Sequence, residues 1–386
     1  MRFPDDVPQL TDGVVTLRAH TMADADAIVE QCTDPQSIAF TKVPVPYTRE
    51  HAVERVTRGA PGLWADRSEL VFAVEAEHAD GVRRFAGSVG LRPRPEDVAE
   101  IAFGLHPGVR GRGLAGRAVR LLLDWGFTEC GFAVVYWTAN VGNWASRRVA
   151  WATGFTFHGT VDAFGEQRGE RRDMWFATLR PDEPRTPKGP WFETPVIESP
   201  TLRLRGFTEA DTARLDELMS DPRGRHFNGR NSPARRMDAA ARLTQIGEAM
   251  SEGRRYDWCI ADPTDDRLLG HMQLFWHGLD PTSGELGYGV HPDSRGRGVL
   301  TEALRMLPGW AFRPLGDNGG GLRRLTLGTA ESNTASRYAA ERAGFTLSCV
   351  DPDGYPIGET GFEGMAVYAL RNPDWADDWP LTGPLA

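Results

Sequence analysis

The sequence predicts an α+β fold made of two tandem domains, each with a central sheet between helices. The stretch at residues 100–115 (EIAFGLHPGVRGRGLA) returns at residues 285–300 (ELGYGVHPDSRGRGVL), an offset of 185 residues (285 − 100). A chain of 386 residues also exceeds what one hydrophobic core usually serves. In each half, short β-rich runs alternate with segments of helical periodicity. Internal duplication therefore organises the chain.

Each half opens with a strand, a capped helix, a second helix and a hairpin. The cap is a Thr-x-Ala-Asp sequence beginning at Thr21 and Thr208, where threonine starts a helix whose first turn carries an acid. Paired apolar runs separated by polar turns indicate the hairpins. The predicted ranges in the two halves are strands 14–19 and 201–206, second helices 49–59 and 233–252, and hairpin strands 70–75, 85–91, 256–261 and 268–275.

Each half closes with the repeated strand, a helix, a buried strand, a short helix and a last hairpin. The short helix begins with an Asn-x-x-Ser sequence at Asn143 and Asn333 and ends at a Gly-Phe pair, because asparagine is a good cap and glycine a good helix stop. The predicted ranges are helices 114–130 and 301–312, buried strands 133–138 and 325–329, and final strands 174–179 and 365–370.

A proline-rich stretch separates the two halves. Residues 181–200 (PDEPRTPKGPWFETPVIESP) are polar and lack periodicity, which is typical of a stiff linker. The predicted domains are therefore residues 1–180 and 201–386.

Composition disfavours several classes of protein. The net charge of −9 argues against nucleic acid as a partner, since backbone binding needs a clustered basic excess. No apolar run reaches the roughly 18 residues of a spanning helix, and the acidic N-terminal residues lack a signal-peptide pattern, so we expect a cytoplasmic protein without a membrane partner. The cysteines show no metal-ligand spacing, and no metal is expected. They are Cys32, Cys130, Cys259 and Cys349.

The repeated Arg-Gly-Arg-Gly sequence indicates phosphate binding. Its glycines permit positive φ and a close ligand approach, and N–H groups at a helix start form a positive concavity. Arginine side chains can add pairs to phosphate oxygens. A single such turn is most often a plain surface loop. Two copies in matching strand-turn-helix contexts favour a pyrophosphate-bearing ligand.

These motifs resemble the GNAT superfamily of acyl-CoA N-acyltransferases, and most closely its ribosomal-protein N-terminal acetyltransferase (Rim-type) branch. The resemblance rests on Arg-x-x-Gly-x-Ala at residues 110–115, the strand before it and the later Asn-x-x-Ser helix. It covers nearly the whole chain outside the linker and the tail. It implies two tandem GNAT-like domains, each with a central mixed, mostly antiparallel sheet flanked by helices.

The resemblance also implies the substrates. The donor is acetyl-CoA or another acyl-CoA, and an acyl-carrier protein stays open because it presents the same phosphopantetheine. The acceptor is an amine on a peptide N-terminus, a protein or a small metabolite. Its pocket is expected between the segments least alike in the two halves, residues 40–47 with 161–169 and residues 227–232 with 351–362. Both monomer and homodimer remain open.

The implied donor-binding residues lie on the glycine turn, which wraps the pyrophosphate, and at the end of the repeated strand, which pairs with the pantetheine arm. In the first half they are Leu105, His106, Val109, Arg110, Gly111, Arg112, Gly113, Leu114, Ala115 and Asn143. In the second half they are Val290, His291, Arg295, Gly296, Arg297, Gly298, Val299 and Asn333. Leu300 departs from the Gly or Ala that the family prefers there, so we expect weaker donor binding in the second half.

Direct attack of an amine on a thioester needs a base for the amine proton and an acid for the leaving thiolate. Glu100 and Glu285, at the start of the repeated strand, are the implied bases, acting directly or through water. An ordinary exposed strand carboxylate is the alternative interpretation.

The tyrosine that many members use as the acid, seven residues after the asparagine, is replaced by Ala150 and Ala340. Tyr338 lies two residues early and is expected to point elsewhere. The serines that the Rim-type branch offers instead are Ser146 and Ser336. Both also fit a plain capping role. The missing tyrosine supports an alternative function, a non-catalytic acyl-CoA-binding or scaffold protein.

Overall fold

The computed structural model describes residues 3–228, 238–276 and 280–375. The chain divides into two compact units, Met1–Lys188 and Gly189–Ala386, and the division falls within the proline-rich stretch. The first residues of the helix predicted at 233–252 lie outside the described ranges. Among the described residues, none of the helices combines the length and apolarity that a bilayer crossing requires.

The N-terminal unit is built on one eight-stranded sheet. Its strands are β1 (Leu10–Thr11), β2 (Val15–Arg18), β3 (Leu70–Glu77), β4 (Arg83–Arg94), β5 (Val98–Leu105), β6 (Val134–Asn140), β7 (Thr156–Gln167) and β8 (Glu170–Leu179). The spatial order is β1-β2-β3-β4-β5-β6-β8-β7, and neighbours are antiparallel except for β5 and β6, which are parallel. The helices are α1 (Ala25–Thr33), α2 (Pro35–Phe40), α3 (Arg49–Glu54), α4 (Ala60–Ala65), α5 (Leu114–Trp125) and α6 (Trp144–Ala152).

The core of this unit forms where α5 covers the sheet. Apolar residues of α5 recur at helical spacing, so that Val119, Leu122 and Leu123 are fully buried. They meet inward-facing side chains of the strands, including Ile101 of β5 and Val135 of β6. This packing fixes the start of α5 next to the ends of β5 and β6.

The C-terminal unit repeats the architecture. Its strands are β9 (Ile197–Glu198), β10 (Arg203–Arg205), β11 (Arg255–Ala261), β12 (Leu268–Phe275), β13 (Ser283–Val290), β14 (Arg324–Ala330), β15 (Thr346–Ile357) and β16 (Gly361–Arg371). Their order is β9-β10-β11-β12-β13-β14-β16-β15, and β13 and β14 are the parallel pair. The helices are α7 (Thr212–Ser220), α8 (Pro222–Phe227), α9 (Ala239–Ser251), α10 (Val299–Met306), α11 (Pro308–Ala311) and α12 (Thr334–Arg342).

The predicted fold class is confirmed, with differences in several elements. The helix predicted at 49–59 continues to Ala65, because a wide helical turn at Arg55–Gly59 joins α3 to α4. The helix predicted at 301–312 is divided into α10 and α11 at Pro308, which lacks the N–H that would continue the helix. The short edge strands β1 and β9 and the short helices α2 and α8 were not predicted.

The sheet opens between its two parallel strands. In the N-terminal unit, β5 and β6 pair only from Val98/Val134 to Ile101/Trp137, although both strands continue. In the C-terminal unit, β13 and β14 pair only as far as Glu285/Thr326. Beyond these points the facing edges of the strands have no partner strand, so backbone N–H and C=O groups border a gap inside the sheet.

Candidate functional site

A cavity of about 630 Å³ lies at the opening between β5 and β6. One side is formed by Phe103, Gly104 and Leu105 at the end of β5, and another by the glycine turn and the start of α5. Residues of α6, including Ser146, complete the wall beside the turn. The cavity is therefore bordered by free strand edge, by a helix start and by a hydroxyl group.

The glycine turn has the backbone geometry of an anion site. Gly111 and Gly113 have φ values of 75° and 71°, in the left-handed region that glycine tolerates. A Cβ atom placed on either glycine meets no other atom within 4 Å, so the space beside both is open. Gly113 caps α5, whose first N–H groups have no acceptor within the helix. These features fit a phosphate group at the start of α5.

Arg110 holds the turn against α2. Its guanidinium contacts Asp34 (2.8 Å) and Gln36 (2.9 Å), and its Nε donates to the carbonyl of Leu105 (3.1 Å). Ser37 also accepts from it. Arg110 was predicted to pair with phosphate, but its guanidinium is already bonded to protein groups. It affects a ligand by fixing the shape of the turn.

Arg295 repeats this arrangement in the C-terminal unit. Its guanidinium contacts Asp221 (2.5 Å), and its Nε donates to the carbonyl of Val290 (3.2 Å). Asp221 caps α8 as Asp34 caps α2. Each turn is therefore anchored to a short helix that the sequence interpretation overlooked.

The two histidines lie beneath the turns rather than in the cavities. The Nδ1 of His106 accepts the N–H of Gly108 (3.1 Å), so its Nε2 carries the proton and donates to Glu30 (2.9 Å). His291 lies between Asp293 (2.8 Å) and Glu217 (3.0 Å). A hydrogen bond from Arg214 is the main reason that the pKa of Asp293 lies well below its ordinary value. Both histidines are buried and position the turn that follows.

The remaining charged residues of the turns differ between the units. Arg112 does not line the first cavity, and its guanidinium donates to the carbonyl of Glu77 (2.7 Å). Arg297 lines a separate cavity of about 630 Å³, which also contains Arg305 and Arg342. Neither arginine lines the cavity of its own strand opening.

Ser146 is brought into the first cavity with its proton available. Its N–H donates to Asn143 Oδ1 (3.2 Å), which confirms the capping geometry. Its hydroxyl oxygen accepts the indole N–H of Trp137 (3.0 Å). Because an indole nitrogen only donates, the serine is the acceptor and its own O–H can donate into the cavity.

Glu100 lies outside the first cavity. Its carboxylate is ion-paired with Arg94 (2.7 Å) and is 3.7 Å from Arg92, and Thr138 donates to it (3.3 Å). Glu100 occupies the paired part of β5, before the opening. The structure therefore does not bring Glu100 and Ser146 into one cavity. Glu285 likewise does not line the cavity of the second unit.

The C-terminal cavity is smaller, about 450 Å³. Gly296 and Gly298 repeat the positive φ values, at 71° and 80°. Leu300 lines this cavity where Ala115 lines the first. The other predicted donor-binding residues on its wall are Val290, Arg295, Val299 and Asn333.

Two tyrosines on the wall of the second cavity were not predicted as site residues. Tyr288 of β13 hydrogen-bonds Ser336 across the opening (2.8 Å). Tyr338 was expected to point elsewhere, yet it lines the cavity mouth and is 63% exposed. Comparison of the two copies of the repeat could have identified Tyr288. It lies on β13 at the position that Phe103 occupies on β5 (288 − 185 = 103).

The segments expected to form the acceptor pocket do meet in the N-terminal unit. Gln167 of β7 donates to the carbonyls of Ala39 (2.9 Å) and Thr41 (3.0 Å), and Phe40 and Val43 line the cavity. In the C-terminal unit, Tyr355 donates to the carbonyl of Phe227 (2.9 Å). The remainder of that predicted wall, residues 229–232, lies outside the described ranges.

The position of Cys32 on the cavity wall was not predicted. Cys32 of α1 lines the first cavity, and burial raises the pKa of its thiol, which keeps it neutral. Gln31 lies beside it on the same wall. The sequence does contain a signal for the helix next to this wall. Asp34-Pro35, an aspartate cap followed by proline, predicts the start of α2.

A sheet opened between parallel strands, with a glycine turn and a helix start at the opening, agrees with the acyltransferase fold that the resemblance implied. The profile of the acetyltransferase (GNAT) domain matches residues 15–156 and again residues 201–346. The chain therefore belongs to the GNAT acetyltransferase family and carries two copies of its domain. It is an acyltransferase, and the predicted resemblance is confirmed.

Relatives of this chain are named as N-acetyltransferases. It is 30% identical over 135 residues to the probable N-acetyltransferase YjcK of Bacillus subtilis, covering 34% of this chain and 71% of that protein. It is 30% identical over 113 residues to the putative ribosomal N-acetyltransferase YdaF of the same species, covering 29% of this chain and 57% of that protein. The structure of Mycobacterium smegmatis RimJ in complex with CoA-disulfide is similar at 20% identity and a TM-score of 0.41, covering 47% of this chain and 91% of that one.

Proposed function

We propose that this protein transfers an acetyl group from acetyl-CoA to a primary amine and that the N-terminal unit is the tighter donor site. The observation that supports this most directly is the cavity of about 630 Å³ in which the open edge of β5, the glycine turn and Ser146 meet. The name of one Bacillus relative, a putative ribosomal N-acetyltransferase, favours an amine of a ribosomal protein among the candidate acceptors.

The donor is held by backbone groups. The pyrophosphate lies against Gly111, Gly113 and the first N–H groups of α5, which favour negative charge. The amides of the pantetheine arm pair with the open edge of β5 near Leu105. The thioester supplies the activated acetyl group. A turn built for pyrophosphate favours acetyl-CoA over an acyl-carrier protein, whose phosphopantetheine has a single phosphate.

Ser146 acts at the leaving sulfur, and Glu100 acts at the attacking amine. As the amine nitrogen attacks the carbonyl carbon, the carbon–sulfur bond breaks and sulfur takes the electron pair. The free O–H of Ser146 donates a hydrogen bond to that sulfur and stabilises its developing negative charge, and solvent supplies the proton of the released thiol. Glu100 lies off the cavity and is paired with Arg94, so it takes the amine proton through an intervening water.

The function is tested by measuring CoA thiol release from acetyl-CoA with a panel of peptides of different N-terminal residues, lysine amide and spermidine. Mass spectrometry of the acceptor locates the acetyl group. In a chain whose second cavity is filled by Leu300→Trp, so that turnover reports the first site, we expect Ser146→Ala and Glu100→Gln each to lower kcat by about 100-fold, the usual contribution of such a group. Glu129→Gln, which changes an exposed carboxylate of the same unit, is the matched control.

Three results are informative. Acetylated acceptor with full activity in Glu129→Gln supports transfer. Tight CoA binding without turnover on any amine identifies the alternative, a non-catalytic acyl-CoA-binding protein. Turnover that survives both Ser146→Ala and Glu100→Gln removes these residues from the proposed roles.

A further inference from the structure

The C-terminal unit contains a hydroxyl pair that the N-terminal unit lacks. Tyr288 and Ser336 both line the second cavity, with their oxygen atoms 2.8 Å apart. Ser336 is 5% exposed, whereas Tyr288 is only partly buried. The phenol ring therefore borders the cavity, and its hydroxyl group joins β13 to Ser336 of α12.

The N-terminal unit has different side chains at the equivalent positions. Phe103 stands at the position of Tyr288 and offers no proton, and Ser146 is held by Trp137 instead. Leu327 occupies the position of Trp137 in the C-terminal unit (137 + 190), so Ser336 has no indole partner there. Ser146 is thus paired with the indole of Trp137 and Ser336 with the phenol of Tyr288, and of these two partners only the phenol is acidic.

We propose that Tyr288 is the catalytic acid of the C-terminal unit and protonates the leaving thiolate, while Ser336 orients its hydroxyl. This assignment rests on the proposed acetyl transfer. The resemblance implies a tyrosine acid on α12, where this unit has Ala340 instead. Tyr288 would supply the same type of acid. The proton comes from β13 rather than from the helix.

The acidities of the groups favour a phenol. An ordinary phenol has a pKa of about 10 and a thiol one of about 8.5, so a phenol is closer to a thiol in acidity than an aliphatic hydroxyl is. An aliphatic hydroxyl such as that of Ser336 is a far weaker acid. Burial raises the pKa of Tyr288, so the phenol keeps its proton at neutral pH and enters each turnover as a donor.

The step is balanced in atoms and charge. The amine nitrogen bonds to the carbonyl carbon, the carbon–sulfur bond breaks, and sulfur takes the electron pair and the phenolic proton. The resulting phenolate accepts a hydrogen bond from Ser336, and water entering the cavity restores its proton. The proton lost by the amine leaves to solvent, so no further reactant is consumed.

The test uses the full chain with the first cavity filled by Ala115→Trp, so that remaining acetyl transfer reports the C-terminal unit. Acetyl-CoA and the best acceptor of the amine panel are the substrates. We expect Tyr288→Phe to lower kcat by about 100-fold with KM for acetyl-CoA within about twofold. A purely structural tyrosine would not change kcat and KM in this way.

Tyr368→Phe is the matched control, because that buried hydroxyl contacts Arg337 (3.2 Å) and Glu341 (2.7 Å) and does not line the second cavity. It should leave kcat and KM for acetyl-CoA unchanged. Unchanged kcat in Tyr288→Phe, or a loss explained by weaker acetyl-CoA binding, would overturn the assignment. If the Ala115→Trp chain transfers nothing while the parent chain does, the second site is inactive and the assignment fails, although the proposed function stands. If neither chain acetylates any amine, both fail.

Discussion

Single residues at equivalent positions give the two cavities different shapes. Ala115 and Leu300 each follow the capping glycine by two positions and line the respective cavity. The second cavity is the smaller, about 450 Å³ against about 630 Å³. A larger side chain at the start of the helix accounts for part of this difference, because it stands where a ligand would approach the first N–H groups.

Leu300→Ala should therefore strengthen CoA binding by the C-terminal unit. Relief of crowding worth about 1 kcal/mol corresponds to about a fivefold lower Kd. Calorimetric titration of CoA into the full chain, with the first cavity filled by Ala115→Trp, measures this affinity directly. Ala115→Leu in an otherwise unchanged chain is the reciprocal variant and should weaken the first site by a similar factor. Equal affinities in the Leu300→Ala chain and its parent would show that Leu300 does not limit the second site.

At the scale of elements, the short helices α2 and α8 determine how each glycine turn is held. Each is capped by an aspartate, Asp34 or Asp221, that also binds the arginine of the turn. Hydrogen bonds from the Ser37 N–H and Arg110 outweigh the effect of burial and keep the pKa of Asp34 below its ordinary value. The ion pair is thus intact at neutral pH, and the turn depends on it for its shape.

Arg110→Met should loosen the first turn without touching the reacting groups. We expect KM for acetyl-CoA to rise about tenfold with kcat nearly unchanged, since hydrogen bonds to charged groups contribute about 1.5–3 kcal/mol and part of that is recovered by water. Steady-state kinetics with acetyl-CoA varied measures the split. Arg171→Met, an exposed position on β8 that does not line the cavity, tests whether loss of positive charge alone has this effect. A fall in kcat with unchanged KM would contradict a role for Arg110 in shaping the turn.

The sequence predicted most of these elements but not their mutual contacts. The repeat, the capping asparagines and the glycine stops identified the strands and helices because each is a local signal. The anchoring of Arg110 was not predictable, because Asp34 lies 76 residues earlier (110 − 34) and only the fold brings them together. The pairing of Tyr288 with Ser336 was hidden for the same reason, although the difference between Tyr288 and Phe103 was visible in the repeat.

At the scale of the whole molecule, both units retain the same buried ion pair at the start of their first helical segment. Arg18 contacts Asp24 (2.8 Å), and Arg205 contacts Asp211 (2.8 Å). The two aspartate side chains are 2% and 3% exposed. Each carboxylate also accepts the N–H of the capping threonine, Thr21 or Thr208. Stability of both units therefore depends on ionised carboxylates in the same place.

These pairs should make the whole chain sensitive to acid. Burial alone would raise the pKa of Asp24 and of Asp211, but the arginine and threonine hydrogen bonds outweigh it and lower both values. A carboxyl group whose pKa is lower in the folded state stabilises the protein above its unfolded pKa of about 3.9, and that stability is lost as pH falls through the folded pKa. The variant Asp24→Asn/Asp211→Asn should be less stable at pH 7, by about 2 kcal/mol in each unit, because each arginine loses one of its two carboxylate partners and keeps only Glu75 or Asp266. Urea unfolding at pH 7, 5, 4, 3 and 2 should show a difference from the parent that is constant down to about pH 4 and shrinks below it. Asp182→Asn, an exposed substitution, should leave the parent profile intact. A difference that stays constant across this range would mean that these pairs do not carry the acid sensitivity.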